Sequence, residues 1–256
     1  MTAVDVDELT AKVRAMYRQV AEEPRGAYHF EIGRSVAERL GYDADMLDGV
    51  PAEAMESFAG VGQFFDLAAV IEGERVLDMG SGSGTDAFVA AALVGPSGLV
   101  VGVDFTAEQL AKARRIAGEG GLQHVEFRQG RIESLPVDDG TFDCVISNGV
   151  INLSPDKDAV FREAARALRP GGRLALADIV SERPLTEAIT CDAELWASCI
   201  GGATQVDAYR ASIEDAGLRV ESMRDHPEYQ FLSGSARGAT NTYGIKSISL
   251  LAVKPG

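Results

Sequence analysis

The sequence predicts an α/β protein built around a doubly wound, mostly parallel sheet. From about residue 74, short apolar runs such as RVLDMG and LVVGVD alternate with amphipathic helical patterns such as TAEQLAKARRIAG. Strands that are apolar at successive positions are buried on both faces, and the helices between them connect parallel neighbours. A glycine-rich turn directly after the first strand is a second sign of this fold class. We therefore expect a seven-stranded sheet whose last strand is antiparallel.

The amino-terminal part of the chain lies outside this alternation. Residues 1–70 contain a helical pattern in DELTAKVRAMYRQVAE, a second near EIGRSVAERLGY and a third before Asp66. These patterns predict a helical cap that packs over a core formed by residues 71–256.

The later elements follow from local signals. Ser154-Pro155 predicts a helix start and LRPGG its end, because proline is favoured only in the first turn of a helix. One helix is expected at about 185–202, inserted after the fifth strand. The segment from Ser233 to Gly244 is rich in small residues and predicts a loop, so the last two strands should form an antiparallel edge of the sheet.

The composition limits the possible partners. The chain has 256 residues and a formal charge of −15, which opposes binding to nucleic acids and to anionic membranes. It contains no apolar run of about 18 residues, and acids stand near the amino terminus where a signal peptide would carry Lys or Arg. We therefore expect a cytoplasmic protein. Three cysteines without a CxxC pair predict neither a disulfide framework nor a metal site.

The turn VLDMGSGSGTD indicates a nucleoside ligand. Gly80, Gly82 and Gly84 let the backbone approach a ligand closely, and the helix that follows presents free N–H groups. The spacing GxGxG differs from the nicotinamide fingerprint GxGxxG, and no Lys followed by Ser or Thr completes a phosphate loop. Asp78 would repel a pyrophosphate but suits an ammonium group. We therefore predict a cationic amino acid nucleoside as the ligand.

Two further strand ends carry side chains that suit such a ligand. Asp104 ends the second strand, where a carboxylate can accept both ribose hydroxyls, while Thr106 is the better cap for the next helix. Ile132 and Glu133 follow the third strand, and they suit an adenine ring and its exocyclic amine. Because ligands of open α/β sheets bind at this edge, we expect these residues to converge.

Together these features resemble a class I S-adenosylmethionine-dependent methyltransferase, which has a Rossmann-like fold, over the core from Arg75 to about Ile179. The resemblance implies S-adenosyl-L-methionine as the cofactor. It also places the methyl-transfer end at Asn148 and Gly149, in the interrupted stretch SNGVINL. The cofactor-binding residues that it implies are Asp78, Gly80, Ser81, Gly82, Gly84, Thr85, Asp104, Phe105, Gln109, Arg131, Ile132, Glu133, Asn148 and Gly149.

A narrower likeness is carried by NLSPDK and CIGGA. With most of the first 205 residues, these motifs resemble the arsenite methyltransferase family. That family binds trivalent arsenic through three cysteine thiolates, which are soft ligands for a soft metalloid. In this sequence only one of the three corresponding positions is a cysteine, Cys199. The other two positions are occupied by Val61 and Gly149. We interpret Cys144 and Cys191 as small buried hydrophobes.

The acceptor side is less sharply marked. The predicted catalytic residues are Cys199, Asn148 and His29. A dedicated base is optional, because a thiolate or a metalloid lone pair attacks without one. Candidate bases are His29, Asp178 and Glu194. Trp196 is a candidate wall of an apolar acceptor pocket or a core residue, and Arg237 lies in a candidate flap or a surface loop.

Three functions remain open at this point. The first is a methyltransferase that acts on a small molecule with a soft or small nucleophile. The second is an arsenite methyltransferase in which Cys199 and a substrate thiol such as glutathione hold the metalloid. The third is a binding protein for S-adenosylmethionine without catalysis. We expect a monomer or a homodimer with neither nucleic acid nor membrane as a partner.

Overall fold

One mixed sheet forms the centre of the protein. The computed structural model describes residues 4–28, 30–197, 199–232 and 234–256, and only the backbone of residues 194, 197, 235–237 and 239. In chain order the strands are β1 (Arg75–Met79), β2 (Leu99–Asp104), β3 (Val125–Gln129), β4 (Phe142–Asn148), β5 (Leu168–Ser181), β6 (Thr204–Gln205), β7 (Arg219–Asp225) and β8 (Lys246–Val253).

Helices surround this sheet, and a short 3-10 helix lies at Ile151–Leu153. Among the described residues, no helix combines the length and the apolar character that a membrane-spanning segment needs. The α-helices are α1 (Val6–Glu22), α2 (Arg34–Arg39), α3 (Ala44–Asp48), α4 (Ala52–Met55), α5 (Phe65–Ala68), α6 (Thr85–Val94), α7 (Ala107–Glu119), α8 (Lys157–Ala167), α9 (Glu187–Thr190), α10 (Ala193–Ala197), α11 (Val206–Asp215) and α12 (Gly234–Tyr243).

The strand order confirms the predicted fold class. The sheet runs β3-β2-β1-β4-β5-β8-β7, with the two-residue strand β6 paired to β5. Strands β1 to β5 pair in parallel, and β8 pairs antiparallel with both β5 and β7. The reversed last strand is therefore confirmed. The predicted antiparallel edge is the pair of β7 and β8, in which β8 lies between β5 and β7 and β7 is outermost.

The connection from Ser233 to Gly244 contains α12, where a loop was predicted. Gly, Ser, Thr and Asn make up most of this segment and have low helix propensity, so this helix depends on its surroundings. The backbone N–H of Glu182 donates to the carbonyl oxygens of Tyr243 and Gly244 at 3.1 and 3.2 Å. These hydrogen bonds connect the end of α12 to the end of β5, a contact that no local pattern reveals.

Two other helix boundaries differ from the prediction. The single helix expected at about 185–202 is the pair α9 and α10, because the Asp192 carboxylate accepts the N–H of Leu195 at 3.2 Å and starts a new helix. Helix α8 begins at Lys157 rather than at Ser154-Pro155. Asp156 is its N-cap, with a carboxylate that accepts the N–H of Ala159 at 2.9 Å.

The cap, residues 4–70, shares a hydrophobic core with one face of the sheet. It contains five helices, α1 to α5, where three were predicted. One buried cluster joins its Val36 and Phe58 to Phe88 of α6. Polar contacts add to this packing, since Gln109 of α7 donates to the carbonyl oxygen of Tyr17 in α1 at 2.8 Å. The cap therefore packs against the core, and the domain boundary near residue 70 stays a prediction.

The segment that follows α10 packs directly on the 3-10 helix. A side chain on Gly202 would overlap the carbonyl oxygen of Asn152, and one on Gly201 would overlap the Trp196 ring. The two glycines of CIGGA are required by this close approach. As a result, the segment brings Cys199 next to Asn152 and the carboxyl end of β5.

We expect Gly202→Ala to lower the melting temperature by more than about 5 °C, because the added methyl group can be accommodated only if the backbone of Asn152 moves. Gly118→Ala is the matched control. Gly118 lies in α7 with nothing within 4 Å of an added Cβ, so this change should be neutral or stabilise by about 0.5–1 kcal/mol. Thermal unfolding followed by circular dichroism measures both variants, and equal melting temperatures would contradict the close approach.

Candidate cofactor and acceptor site

A cleft lies at the carboxyl ends of β1, β2 and β4, where the strand order reverses, and α1 covers it. Ligands of open α/β sheets bind at such a point. Of the fourteen predicted cofactor residues, only Gly84 does not line the cleft. The other thirteen are Asp78, Gly80, Ser81, Gly82, Thr85, Asp104, Phe105, Gln109, Arg131, Ile132, Glu133, Asn148 and Gly149.

The glycines of the turn after β1 are required for two different structural reasons. Gly80 has a φ of +76°, and a Cβ there would lie 2.6 Å from the Val150 side chain. Gly84 has a φ of +93° and packs under the Phe127 and Phe88 rings, 2.8 and 2.9 Å from an added Cβ. Gly80 therefore keeps the floor of the cleft open, whereas Gly84 lets α6 begin close to the sheet.

Besides Oγ1 of Thr106, two buried polar atoms on the wall of the cleft have no hydrogen-bond partner among the described residues. They are Oδ2 of Asp78, a residue only 2% exposed, and Oγ of Ser81. Buried polar atoms are nearly always paired, so both atoms indicate a missing ligand. An acceptor at Asp78 and a hydroxyl at Ser81 fit a ligand that carries an ammonium group and a carboxylate.

Three buried carboxylates give the cleft a negative potential. Burial raises the pKa of Asp78 well above its usual value, with further increases from Asp86 and Asp104. Burial also raises the pKa of Asp86 to about 6 and that of Asp104 in the same direction. Because ionised acids in this position repel one another, a cationic ligand is the natural counter-charge.

Asp104 holds the backbone of the cleft as well as facing it. Its Oδ2 accepts the N–H of Gly82 at 3.0 Å, and its Oδ1 accepts the N–H of Thr106 at 2.7 Å. Each carboxylate oxygen can accept a second hydrogen bond, so both remain suitable for ribose hydroxyls. Thr106 occupies the N-cap position of α7, but its hydroxyl makes no capping hydrogen bond. The predicted ribose role of Asp104 stays a prediction.

The other end of the cleft suits a flat apolar group. Ile132 is buried in its wall, opposite Leu9 and Val13 of α1. Glu133 forms an ion pair with Arg131 at 3.3 Å and accepts the Ser154 hydroxyl at 2.6 Å. These contacts fix the carboxylate beside the apolar wall, as an adenine ring with an exocyclic amine requires.

Asn148 is engaged by protein groups on every side. Its Oδ1 accepts the N–H of Val61 at 2.8 Å, and its Nδ2 lies 3.0 Å from Tyr42 Oη and Asp86 Oδ2 and 3.1 Å from the carbonyl oxygen of Gly62. These contacts give it a positioning role, and its catalytic role stays a prediction. The sequence analysis missed Asp86 and Tyr42. The available signal was an acid in the otherwise apolar helix TDAFVAAALV.

Cys199 lies beyond Tyr17, which lines the cleft. It has a φ of +61°, an uncommon conformation for a residue with a side chain. Burial raises the pKa of its thiol to about 12, with a further increase from Asp178 and an opposing hydrogen bond from Asn152. Burial and Cys199 raise the pKa of Tyr17 well above its usual value, and Tyr229 adds to this effect. These side chains define the candidate acceptor region.

Asp178 is fully buried behind Cys199. Its Oδ1 accepts the Asn152 amide at 2.7 Å, and its Oδ2 accepts the Tyr209 hydroxyl at the same distance. Trp196 is buried, with its indole N–H donated to the carbonyl oxygen of Thr190 at 2.7 Å. Asp178 therefore holds Asn152 and Tyr209 in place next to the candidate acceptor region. Trp196 belongs to the packing of α10.

The remaining predicted residues divide into two groups. Cys144 is buried in β4, as interpreted from the sequence, and burial raises its pKa to about 12. Cys191 is only half-buried, between α9 and α10. His29 and the side chains of Glu194 and Arg237 lie outside the described part of the structure.

Comparison with known proteins agrees with this geometry. Residues 71–217 match the family model described as a methyltransferase domain. The chain belongs to the class I S-adenosylmethionine-dependent methyltransferases, so the predicted class and cofactor are confirmed. Within that class it is similar to arsenite methyltransferases, which confirms the narrower likeness.

Three relatives define this similarity. The arsenite methyltransferase of Halobacterium salinarum is 43% identical over 204 residues, which cover 79% of this chain and 52% of the relative. The arsenite methyltransferase of Aquipseudomonas alcaligenes is 51% identical over 142 residues, which cover 53% of this chain and 41% of that relative. The crystal structure of an arsenic(III) S-adenosylmethionine methyltransferase from Chlamydomonas reinhardtii is 33% identical, with a TM-score of 0.68 over 88% of this chain and 75% of that one. The chain thus spans about half the length of the first two relatives.

We expect Asp104→Ala to weaken the binding of S-adenosylmethionine by about 1–3 kcal/mol, because the change removes the ribose acceptor and the support of Gly82. Isothermal titration calorimetry measures this loss, and NADH should show no binding to either protein. Asp143→Asn is a control, since Asp143 lies at the opposite end of β4. An unchanged affinity in Asp104→Ala would assign Asp104 to the backbone alone, and a preference for NADH would contradict the cofactor.

Thiol labelling tests the burial of the cysteines. At pH 8, iodoacetamide should label Cys191 at least about tenfold faster than Cys144 or Cys199, because thiolates are the reactive form and the latter two ionise only near pH 12. Peptide mass spectrometry assigns the labelled positions. Rapid labelling of Cys199 in the folded protein would show that its thiol is accessible and that its pKa is not raised.

Proposed function

We propose that this protein transfers the methyl group of S-adenosylmethionine to a small-molecule acceptor that binds between Tyr17 and Cys199, beside the carboxyl ends of β4 and β5. Asp78 Oδ2 carries the proposal, because it is a buried acceptor without a partner among the described residues, and Asp86 and Asp104 line the same cleft. When bound, the cofactor supplies an electrophilic methyl group on a positively charged sulfur.

The residues of the chain have three tasks in this reaction. Asp78 and Ser81 bind the amino acid end of the cofactor, and Asp104 binds its ribose. Helix α1 excludes water, since Val13 and Tyr17 cover the cleft. Exclusion of water and alignment of the acceptor supply most of the acceleration that a displacement at a methyl carbon needs.

The acceptor should be a soft or small nucleophile that needs no protein base. Both carboxylate oxygens of Asp178 already accept hydrogen bonds, one from Asn152 and one from Tyr209. Its carboxylate therefore has a structural role and is not placed to act as a base. A hydroxyl or an amine would need a base, whereas a thiolate or a metalloid lone pair would not. We further expect a monomer or a homodimer, which light scattering distinguishes.

Arsenite bound by substrate thiols is a second candidate acceptor, because the named relatives are arsenite methyltransferases. The positions where the resemblance implies cysteines, 61 and 149, are neighbours: a Cβ on Gly149 would lie 3.1 Å from Val61 Cγ1. In this chain those positions provide no thiol. Cys199 is then the one protein ligand at this site, and glutathione would have to complete the set around arsenic.

A methyl-transfer screen decides between these acceptors. We expect the protein to methylate a compound from a panel of arsenite with glutathione, small thiols and small phenols, assayed with labelled S-adenosylmethionine. Cys199→Ser should reduce the methylation of arsenite by at least about tenfold, because one ligand of three is lost. It should change transfer to a thiol by less than about threefold.

The same screen contains the outcomes that contradict the proposal. Tight binding of S-adenosylmethionine without transfer to any compound would indicate a non-catalytic binding protein. Methylation of arsenite that is unchanged in Cys199→Ser would remove Cys199 from the site. Asp143→Asn serves again as the control, since it leaves the cleft untouched.

A further inference from the structure

Asp86 is a buried carboxylate that the predicted cofactor contacts do not explain. It lies in the first turn of α6, is 7% exposed and lines the cleft close to Asp78. Its Oδ1 accepts the hydroxyl of Tyr42 at 2.6 Å, and its Oδ2 accepts Nδ2 of Asn148 at 3.0 Å. Both oxygens are therefore directed at protein groups, on the cap and on β4.

The partners of Asp86 also contact each other, so they form a closed ring. Nδ2 of Asn148 also lies 3.0 Å from the hydroxyl of Tyr42 and 3.1 Å from the carbonyl oxygen of Gly62, so its two N–H groups are shared among three acceptors. Oδ1 of Asn148 accepts the backbone N–H of Val61 at 2.8 Å. The ring joins α6, the end of β4 and two parts of the cap at the end of the cleft.

This ring is costly in stability. Burial raises the pKa of Asp86 to about 6, and the charged groups around it are acids: Asp78 on β1 and, beyond it, Asp104 on β2. Tyr42, which faces it from the cap, is neutral. At neutral pH the protein therefore keeps an ionised acid in a place that disfavours it. An amide of the same size would avoid this cost, so the carboxylate has a reason other than stability.

The reason lies in the orientation of Asn148. An amide side chain can turn over and exchange its oxygen and its nitrogen. A carboxylate only accepts, so Asp86 requires Nδ2 on its side and leaves Oδ1 to face the N–H of Val61. The fit is tight, because a Cβ on Gly60 would lie 2.5 Å from Asn148 Nδ2.

We propose that Asp86 is a positioning residue of the methyl-transfer site, an inference that rests on the proposed function. Its carboxylate fixes the orientation of Asn148, and Asn148 in turn holds cap residues 60–62 against the carboxyl end of β4. At this point a Cβ added to Gly149 would lie 3.1 Å from Val61 Cγ1. The wall on which the acceptor meets the cofactor is thus set by a carboxylate whose own hydrogen bonds go to protein groups.

The variant Asp86→Asn tests this inference. An amide at position 86 can donate as well as accept, so one of the acceptors that hold Asn148 Nδ2 is weakened, and only the Gly62 carbonyl and the Val61 N–H still favour the present orientation of Asn148. Hydrogen exchange at the Val61 amide, followed by mass spectrometry, should become at least about tenfold faster. The kcat for the acceptor found in the screen should fall at least about tenfold, while the affinity for S-adenosylmethionine should stay within about threefold.

Two further variants calibrate the test. Tyr42→Phe keeps the carboxylate and removes only its phenol partner, so it should give a smaller change in the same direction. Asp143→Asn is the matched control. Asp143 accepts the backbone N–H of Arg75 at 2.7 Å at the amino end of β4, so its loss should change neither the exchange at Val61 nor kcat.

Several outcomes would overturn the inference. They are an unchanged exchange rate at Val61 in Asp86→Asn, faster exchange with an unchanged kcat, and a loss of cofactor affinity as large as the loss of kcat. The last would make Asp86 a cofactor ligand. If the wild-type protein methylates no compound of the panel, the proposed function is refuted instead. The two failures can be told apart, because in that case Asp86→Asn still accelerates hydrogen exchange at the Val61 amide.

Discussion

A buried cluster of three carboxyl groups at the carboxyl edge of the sheet is the constraint on which the rest of this structure depends. Asp78, Asp86 and Asp104 are all buried there, and burial raises the pKa of each. Such a cluster lowers the stability of the protein until a cation enters the cleft. The sulfonium and ammonium groups of the cofactor meet this requirement, whereas a dinucleotide or a triphosphate would add to the repulsion.

The cap completes the cleft and the core together. Helix α1 places Leu9, Val13 and Tyr17 over the cleft, and the same cap contributes to the hydrophobic cluster on one face of the sheet. The contacts of Gln109 with Tyr17 and of Asn148 with Val61 connect the two parts at opposite ends of the cleft. The residues that exclude water from the reaction are therefore held by the packing that stabilises the fold.

The fold class and most of the cofactor cleft could be predicted from the sequence, because their signals are local. Alternating apolar runs and helices identify a parallel sheet, and the turn from Asp78 to Gly84 identifies its ligand edge. The acceptor region could be predicted only in outline. Cys199 was visible as a motif residue and Asp178 as a candidate base, but their proximity was not, and Tyr17 is distant in sequence and carries no local signal.

By itself the sequence determined a doubly wound methyltransferase core and the strand ends at which a cationic nucleoside binds. Only the tertiary structure decided the place of β8 inside the sheet, the helix α12 and the ring that joins Tyr42, Asp86 and Asn148. The physical reason is distance along the chain. Tyr42 and Asp86 are 44 residues apart, and Asp86 and Asn148 are 62 residues apart. Hydrogen bonds of this range form when separate elements pack, and no periodicity or turn signal encodes them.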